Sequence, residues 1–261
     1  MMAFYNQNNN QYNEMAMDSS PISMPGIEIN SIMRLVYVWM GLGLLVTMVT
    51  AWFVGNNQTL LELSVSPGMS IITIVVLFGT IIALSVGMSR NWLSPGLAAG
   101  LFFLFAAVMG FSLSALMVAF LSPTLPDGTV NTFYDPTPVY AAAGSAAALF
   151  GAMTIVGFTT KADLTKMGTY LFIGLVGIII AMLINIFLQS DGLSFIISIA
   201  GVVIFTGLTA YDTQKIKEMS MNPQLQGNGN LAVKFSIMGA LTLYLDLINL
   251  FLFLLSIFSR E

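Results

Sequence analysis

The chain has 261 residues, of which 57% are hydrophobic and 8% charged, whereas about 25% of the residues of a soluble domain are charged; a water-soluble globule is excluded. It contains no histidine and no cysteine, which removes Ser-His and Cys-His catalytic pairs, zinc sites of the usual type, haem ligation by those residues and disulfides. The formal net charge is -4, and the titratable chemistry that remains rests on 12 carboxylates, backed by amide, hydroxyl and carbonyl oxygens that suit hard cations such as calcium.

Residues 1–31 hold no apolar run that could act as a cleaved signal, and Asn6, Gln7, Asn8, Asn9, Asn10, Gln11 and Asn13 make a polar low-complexity patch. This segment is expected to be a disordered cytoplasmic tail, a solubilising leader or a handle for a partner, ahead of a membrane domain over 32–261. Seven near-continuous apolar windows follow, at 35–54, 69–88, 97–121, 139–158, 169–188, 193–211 and 235–258. Each can cross a hydrocarbon core about 30 Å thick, where an open sheet edge is forbidden. With a mean hydropathy of +0.87, the fold expected is all-α and integral to the membrane: a bundle of seven transmembrane helices. Gln189, Ser190, Asp191 and Gly192 predict a tight hairpin between spans five and six, and residues 222–230 a flexible loop.

Small residues suggest where helices touch. Span four carries Gly144, Gly151 and Gly157 in an alanine-rich run, and span three begins with Gly96 and Gly100; both are expected to pack closely within the bundle. Of the eight basic residues, Arg34, Arg90, Lys161, Lys166, Lys215, Lys217 and Lys234 fall on one side of seven crossings, and Arg260 on the other. The bias predicts a cytoplasmic N-terminus and an outside C-terminus, in a prokaryotic plasma (inner) membrane protein. A re-entrant last segment would instead return Arg260 to the inside.

Polar side chains accumulate toward the C-terminus: Asn185 in span five, Asp212 closing span six, then Tyr244, Asp246 and Asn249 in span seven. Asp246 lies near the bilayer midplane, where an aspartate costs about 2.5–3.5 kcal/mol to insert and must face protein or water. Asn249 falls on nearly the same helix face. Asp212, read as the end of span six, sits at the negative end of a helix dipole, where a proton or cation is favoured, with Lys215 and Lys217 as offsets. Brought together, the two carboxylates could not both ionise cheaply and would share a proton.

The run Ala210-Tyr211-Asp212-Thr213-Gln214-Lys215-Ile216 and the run Leu243-Tyr244-Leu245-Asp246-Leu247-Ile248-Asn249-Leu250-Phe251 resemble, in order, the sixth- and seventh-helix motifs of the Bax inhibitor-1 family, whose bacterial branch includes YccA-like proteins. The resemblance covers residues 32–258. It implies a seven-helix fold with a central, partly broken last helix and a pH-sensitive latch of two aspartates, here Asp212 and Asp246. The resemblance further implies Arg34 and Arg90 as charged partners near the cytoplasmic ends; Tyr211, Tyr244, Asn185 and Asn249 are expected from the residues themselves to be supporting polar groups. One departure is that residues 69–88 lack the acidic residue many relatives carry in the second helix.

The function expected is a pH-responsive leak for calcium or another cation, with Asp212 and Asp246 as the gate and the carboxylates along its pathway. Glu62, Asp127, Asp135 and Asp191, on the outer side, would concentrate cations at its mouth. The alternative is a membrane-embedded regulator that binds a membrane-anchored ATP-dependent protease, with which YccA-like relatives are linked, or another membrane complex. No cofactor, nucleic-acid partner or enzymatic activity is expected, although two aspartates sharing a water leave a carboxylate-only protease formally open. A retinal protein is set aside because Lys234 precedes span seven.

Overall fold

A computed structural model describes residues 29–90 and 92–260; the expected Asn-rich tail lies outside the described residues as far as position 28. Among the described residues the helices are α1 (Ile29–Gly55), α2 (Gln58–Val65), α3 (Pro67–Ser89), α4 (Pro95–Leu121), α5 (Thr137–Thr159), α6 (Thr165–Leu188), α7 (Asp191–Ser220), α8 (Pro223–Gln226) and α9 (Gly229–Phe258). All but the short α2 and α8 are long and apolar enough to cross a membrane, which makes seven.

The helix ends follow local chemistry. Pro67 and Pro95 open α3 and α4, where a missing N–H costs nothing. The Ser94 hydroxyl accepts from the amide of Leu97, and that of Ser190 from the amide of Leu193. Between α6 and α7 the chain reverses within two residues: Gln189 adopts the left-handed conformation at φ 48° and donates its amide to the Asn185 carbonyl at 2.8 Å. The Asn185 side chain accepts from the Ser190 amide and donates to the Ser194 hydroxyl at 2.6 Å. The hairpin expected from Gln189–Gly192 is there, and Asn185 ties it.

α9 occupies the centre, packed against α1, α4, α5 and α7. Phe102, Phe105, Leu243, Tyr244 and Leu250 form the core around it. At the periphery α6 packs on α7 and buries little besides Gly168 and Ile178. Its Phe172, Ile173, Ile180 and Phe187, like Ile71, Val75 and Phe78 of α3, are exposed; such a belt is stable only against lipid.

Three expectations are corrected. First, α7 does not end at Asp212 but runs on to Ser220, so no helix dipole terminates at that carboxylate. The extra turns hold because their polar groups are used: Gln214 accepts from the Leu164 amide and donates to the Ala162 carbonyl, and Lys217 donates to the Phe158 carbonyl at 2.7 Å. Second, α9 is an unbroken helix of 30 residues, about 45 Å long, with no proline to interrupt it. It also starts earlier than the apolar window, at Gly229, because the Asn228 side chain caps it through the Leu231 amide and Ala232 is already buried. Lys234 therefore lies inside α9 and is buried, so its position alone does not exclude a retinal-type lysine.

Third, the glycines that pack are mostly not those expected. Space is open around Gly96, Gly100, Gly144 and Gly151, and only Gly157 of that set sits against a neighbouring backbone, the Ala210 carbonyl of α7. Gly110, in the middle of α4, makes the equivalent approach to the Thr47 carbonyl of α1. Small-residue spacing marks helix faces that can pack, and the partner helix decides which do.

Candidate functional site: a carboxylate pair in a cavity wall

Asp212 on α7 and Asp246 on α9 meet side chain to side chain, within hydrogen-bonding contact. Asp246 is 4% exposed, and its Oδ2 is buried with no hydrogen-bond partner. Asp212 is half-buried. Both line a cavity of about 700 Å³ between α3, α6, α7 and α9, together with Tyr211, Lys215, Thr242 and Asn249 and a larger apolar wall that includes Phe78, Phe172, Leu175 and Phe205. A carboxyl pair at this depth is affordable only because it faces a cavity and a partner rather than lipid tails.

Local packing sets the pair in place. The Cβ of any residue larger than glycine at 168 would meet the Tyr211 ring at 2.5 Å, so α6 carries a seat for that ring beside Asp212. Lys215 reaches back over the same ring, 5.5 Å from its centre, and is the basic residue that lines the cavity among those described. Asn249 donates its amide to the Leu245 carbonyl at 2.8 Å, leaving its side-chain oxygen available to the cavity.

Other expected site residues fall elsewhere. Tyr244 is fully buried on a different face of α9, bonded to Thr47 at 2.7 Å and packed edge-on against Phe102 and Phe105; it supports the core and not the cavity. Arg34 and Arg90 are exposed and do not line the cavity, because α7 continues past Asp212 and carries Lys215 there instead. Asn185 belongs to the α6–α7 turn. Thr242, one turn before Asp246, was not singled out from the sequence although its spacing of four from Asp246 places it on the same face.

The pair offers carboxyl oxygens, the ligand type of hard cations. A resident calcium ion takes six to eight oxygen ligands, and among the described residues no three carboxylates gather. Two carboxyls with the Asn249 and Thr242 oxygens can touch a hard cation but do not cage it.

The family model described as inhibitor of apoptosis-promoting Bax1 matches residues 29–261. The chain belongs to the Bax inhibitor-1 family. It is 38% identical over 244 residues to the inner membrane protein YbhL of Escherichia coli K12, covering 93% of this chain and 97% of that protein. An uncharacterized protein of Borreliella burgdorferi is 40% identical over 233 residues, 89% of this chain and 93% of the relative. As a Bax inhibitor-1 family protein with seven membrane-length helices, the chain is a membrane protein in contact with the bilayer.

Proposed function

We propose that this Bax inhibitor-1 family protein is a pH-responsive leak for cations, calcium foremost, gated by Asp212 and Asp246. The observation that carries the reading is the contact of two carboxyl groups from different helices in the wall of a cavity inside a membrane bundle. A single shared proton holds such a pair together; without it, two like charges sit side by side in a poorly solvated place and push α7 and α9 apart. That is a local charge switch on an element with two arrangements. The groups facing it are Lys215, Tyr211, Thr242 and Asn249, of which Lys215 is a cation that favours the ionised pair.

On this reading Arg34, Arg90, Lys161, Lys166, Lys215, Lys217 and Lys234, which gather at one end of the seven spans, mark the cytoplasmic end by the positive-inside bias, with Arg260 and the C-terminus outside, in a prokaryotic inner membrane. Glu62, Asp127, Asp135 and Asp191 then lie on the outer face, where they attract cations to the mouth. Purified protein in liposomes tests the reading. Calcium flux is expected to rise between about pH 6 and about pH 8, and Asp246→Asn to abolish that dependence. If neither flux nor an effect of Asp246→Asn is seen, the leak is replaced by a non-transporting, membrane-embedded regulator.

A further inference from the structure

Along α9, the residues Thr242, Asp246, Asn249, Phe253 and Ser256 recur at alternating intervals of four and three and so form one stripe of the helix, which Arg260 continues in the turn just past its end. The stripe is polar at every turn except Phe253. The facing stripe of α7 reads Ser198, Gly201, Phe205, Leu208 and Asp212, and the two meet antiparallel. Ser198 and Ser256 are hydrogen-bonded through their hydroxyls at 2.9 Å, Phe253 lies over Gly201, and Asp212 meets Asp246.

This seam runs along two neighbouring cavities. Beyond the cavity of the carboxylate pair, a second one of about 500 Å³ is lined by Asn185, Ser194, Ser198, Ser256 and Arg260, and it ends at the α6–α7 turn. Both cavities have Met182, Asn249 and Phe253 in their walls. The ring of Phe253 is held on two sides. A Cβ at Gly201 would lie 2.5 Å from it, so the glycine is the seat that lets it lie down on α7. Phe205 stacks against it, with ring centres 5.8 Å apart. At the end of the second cavity the Arg260 guanidinium donates to the Asp191 carbonyl at 2.7 Å and lies over the Phe195 ring.

We propose that Phe253, seated on Gly201 and backed by Phe205, is an apolar barrier dividing the groove between α6 and α9 into an outer hydroxyl- and amide-lined chamber and an inner carboxylate chamber, a second closure in series with the aspartate pair. A ring in a polar track excludes water from a short stretch, and a hydrated ion cannot cross a dewetted constriction. The inference takes from the leak reading only the identity of what moves; the barrier itself can be read without any flux.

The chain has no cysteine, so a single introduced thiol reports access cleanly. Ser256→Cys marks the outer chamber and Leu245→Cys, which lines only the inner one, marks the far side of the ring. A membrane-impermeant thiol reagent added on the Arg260 side is expected to label Ser256→Cys readily and Leu245→Cys slowly. Adding Phe253→Ala should speed labelling of Leu245→Cys severalfold, whereas Phe253→Leu, which keeps apolar bulk, should change it little. Gly201→Ala unseats the ring without removing it and gives the same acceleration if Phe253→Ala does not fold. The proposal is overturned if Leu245→Cys reacts as fast as Ser256→Cys with Phe253 in place, or if neither Phe253→Ala nor Gly201→Ala speeds it. Calcium flux measured on the same proteins separates the two readings: accelerated labelling without flux in any variant leaves the barrier standing and removes the leak.

Discussion

The hydroxyl oxygens of Thr47 and Tyr244 lie 2.7 Å apart at the centre of the bundle, and the direction of that hydrogen bond follows from their other partners. Thr47 Oγ1 is also 3.0 Å from the carbonyls of Gly43 and Ala106, which can only accept. Its proton goes to one of them, and Tyr244 donates to Thr47. One hydroxyl pair therefore joins α1, α4 and α9. Tyr244→Phe removes a donor and leaves Thr47 satisfied, and is expected to cost about 0.5–1.5 kcal/mol. Thr47→Val strands the buried tyrosine hydroxyl and is expected to cost more, about 1–3 kcal/mol. Unfolding of the two variants in the same detergent checks the order, and equal losses would contradict the assigned direction.

Gly157 and Gly144 lie on the same helix in very different surroundings. A Cβ at 157 would press on the Ala210 carbonyl and the Thr213 side chain, whereas nothing lies within 4 Å of one at 144. Gly157→Ala should push α5 from α7 and destabilise by about 1–3 kcal/mol. Gly144→Ala should be neutral or stabilise by up to about 1 kcal/mol, the helix-propensity difference between the two residues. Thermal unfolding of the pair distinguishes a glycine required by contact from one that is merely in a small-residue run.

What could be read before any coordinates divides along physical lines. Span number came through because hydropathy is a property of each segment alone, and Asp246 stood out because an intramembrane acid demands a partner; the structure puts Asp212 beside it. Helix ends were misplaced where polar residues continue a helix, as Thr213 to Lys217 do, since a window of hydropathy stops where charge begins. The roles of Tyr244, Gly96 and Gly100 were misread because they depend on how α9 and α4 are rotated about their axes, and several rotations satisfy the same apolar sequence. Phe253 was hidden for a similar reason: an aromatic residue in an apolar span has no signal until Gly201 is seen beneath it.

A proton held jointly by two carboxyl groups makes a specific prediction about combined substitution. If Asp212 and Asp246 titrate as one unit, Asp212→Asn and Asp246→Asn should each remove the pH response of calcium flux, and the double variant should lose no more than either single one. Two independent acids would instead give additive losses. The comparison needs flux measured at several pH values for all four proteins, since the basal rate alone confuses gating with conduction.

The acids that the proposed orientation puts at the outer mouth should not contribute to that pH response. Asp127 accepts from the Thr129 hydroxyl at 2.6 Å and from the Thr129 amide at 2.9 Å, and these bonds hold its carboxyl below the usual carboxylate range. Asp135, bonded by the Thr137 amide, is lowered in the same way. A depressed folded-state value means that these groups are fully charged at and above the ordinary carboxylate range, and that any stability they lend is lost only as pH falls through the lowered value. They stay ionised throughout the range from about pH 6 to about pH 8 in which the proposed latch would act. Asp127→Asn combined with Asp135→Asn is therefore expected to lower calcium flux by a similar factor at every pH between about 6 and about 8, without moving the midpoint, and to lose its effect at high ionic strength, where surface charge is screened. A shift of the midpoint in that variant would place the pH sensor at the outer mouth and not at Asp212 and Asp246.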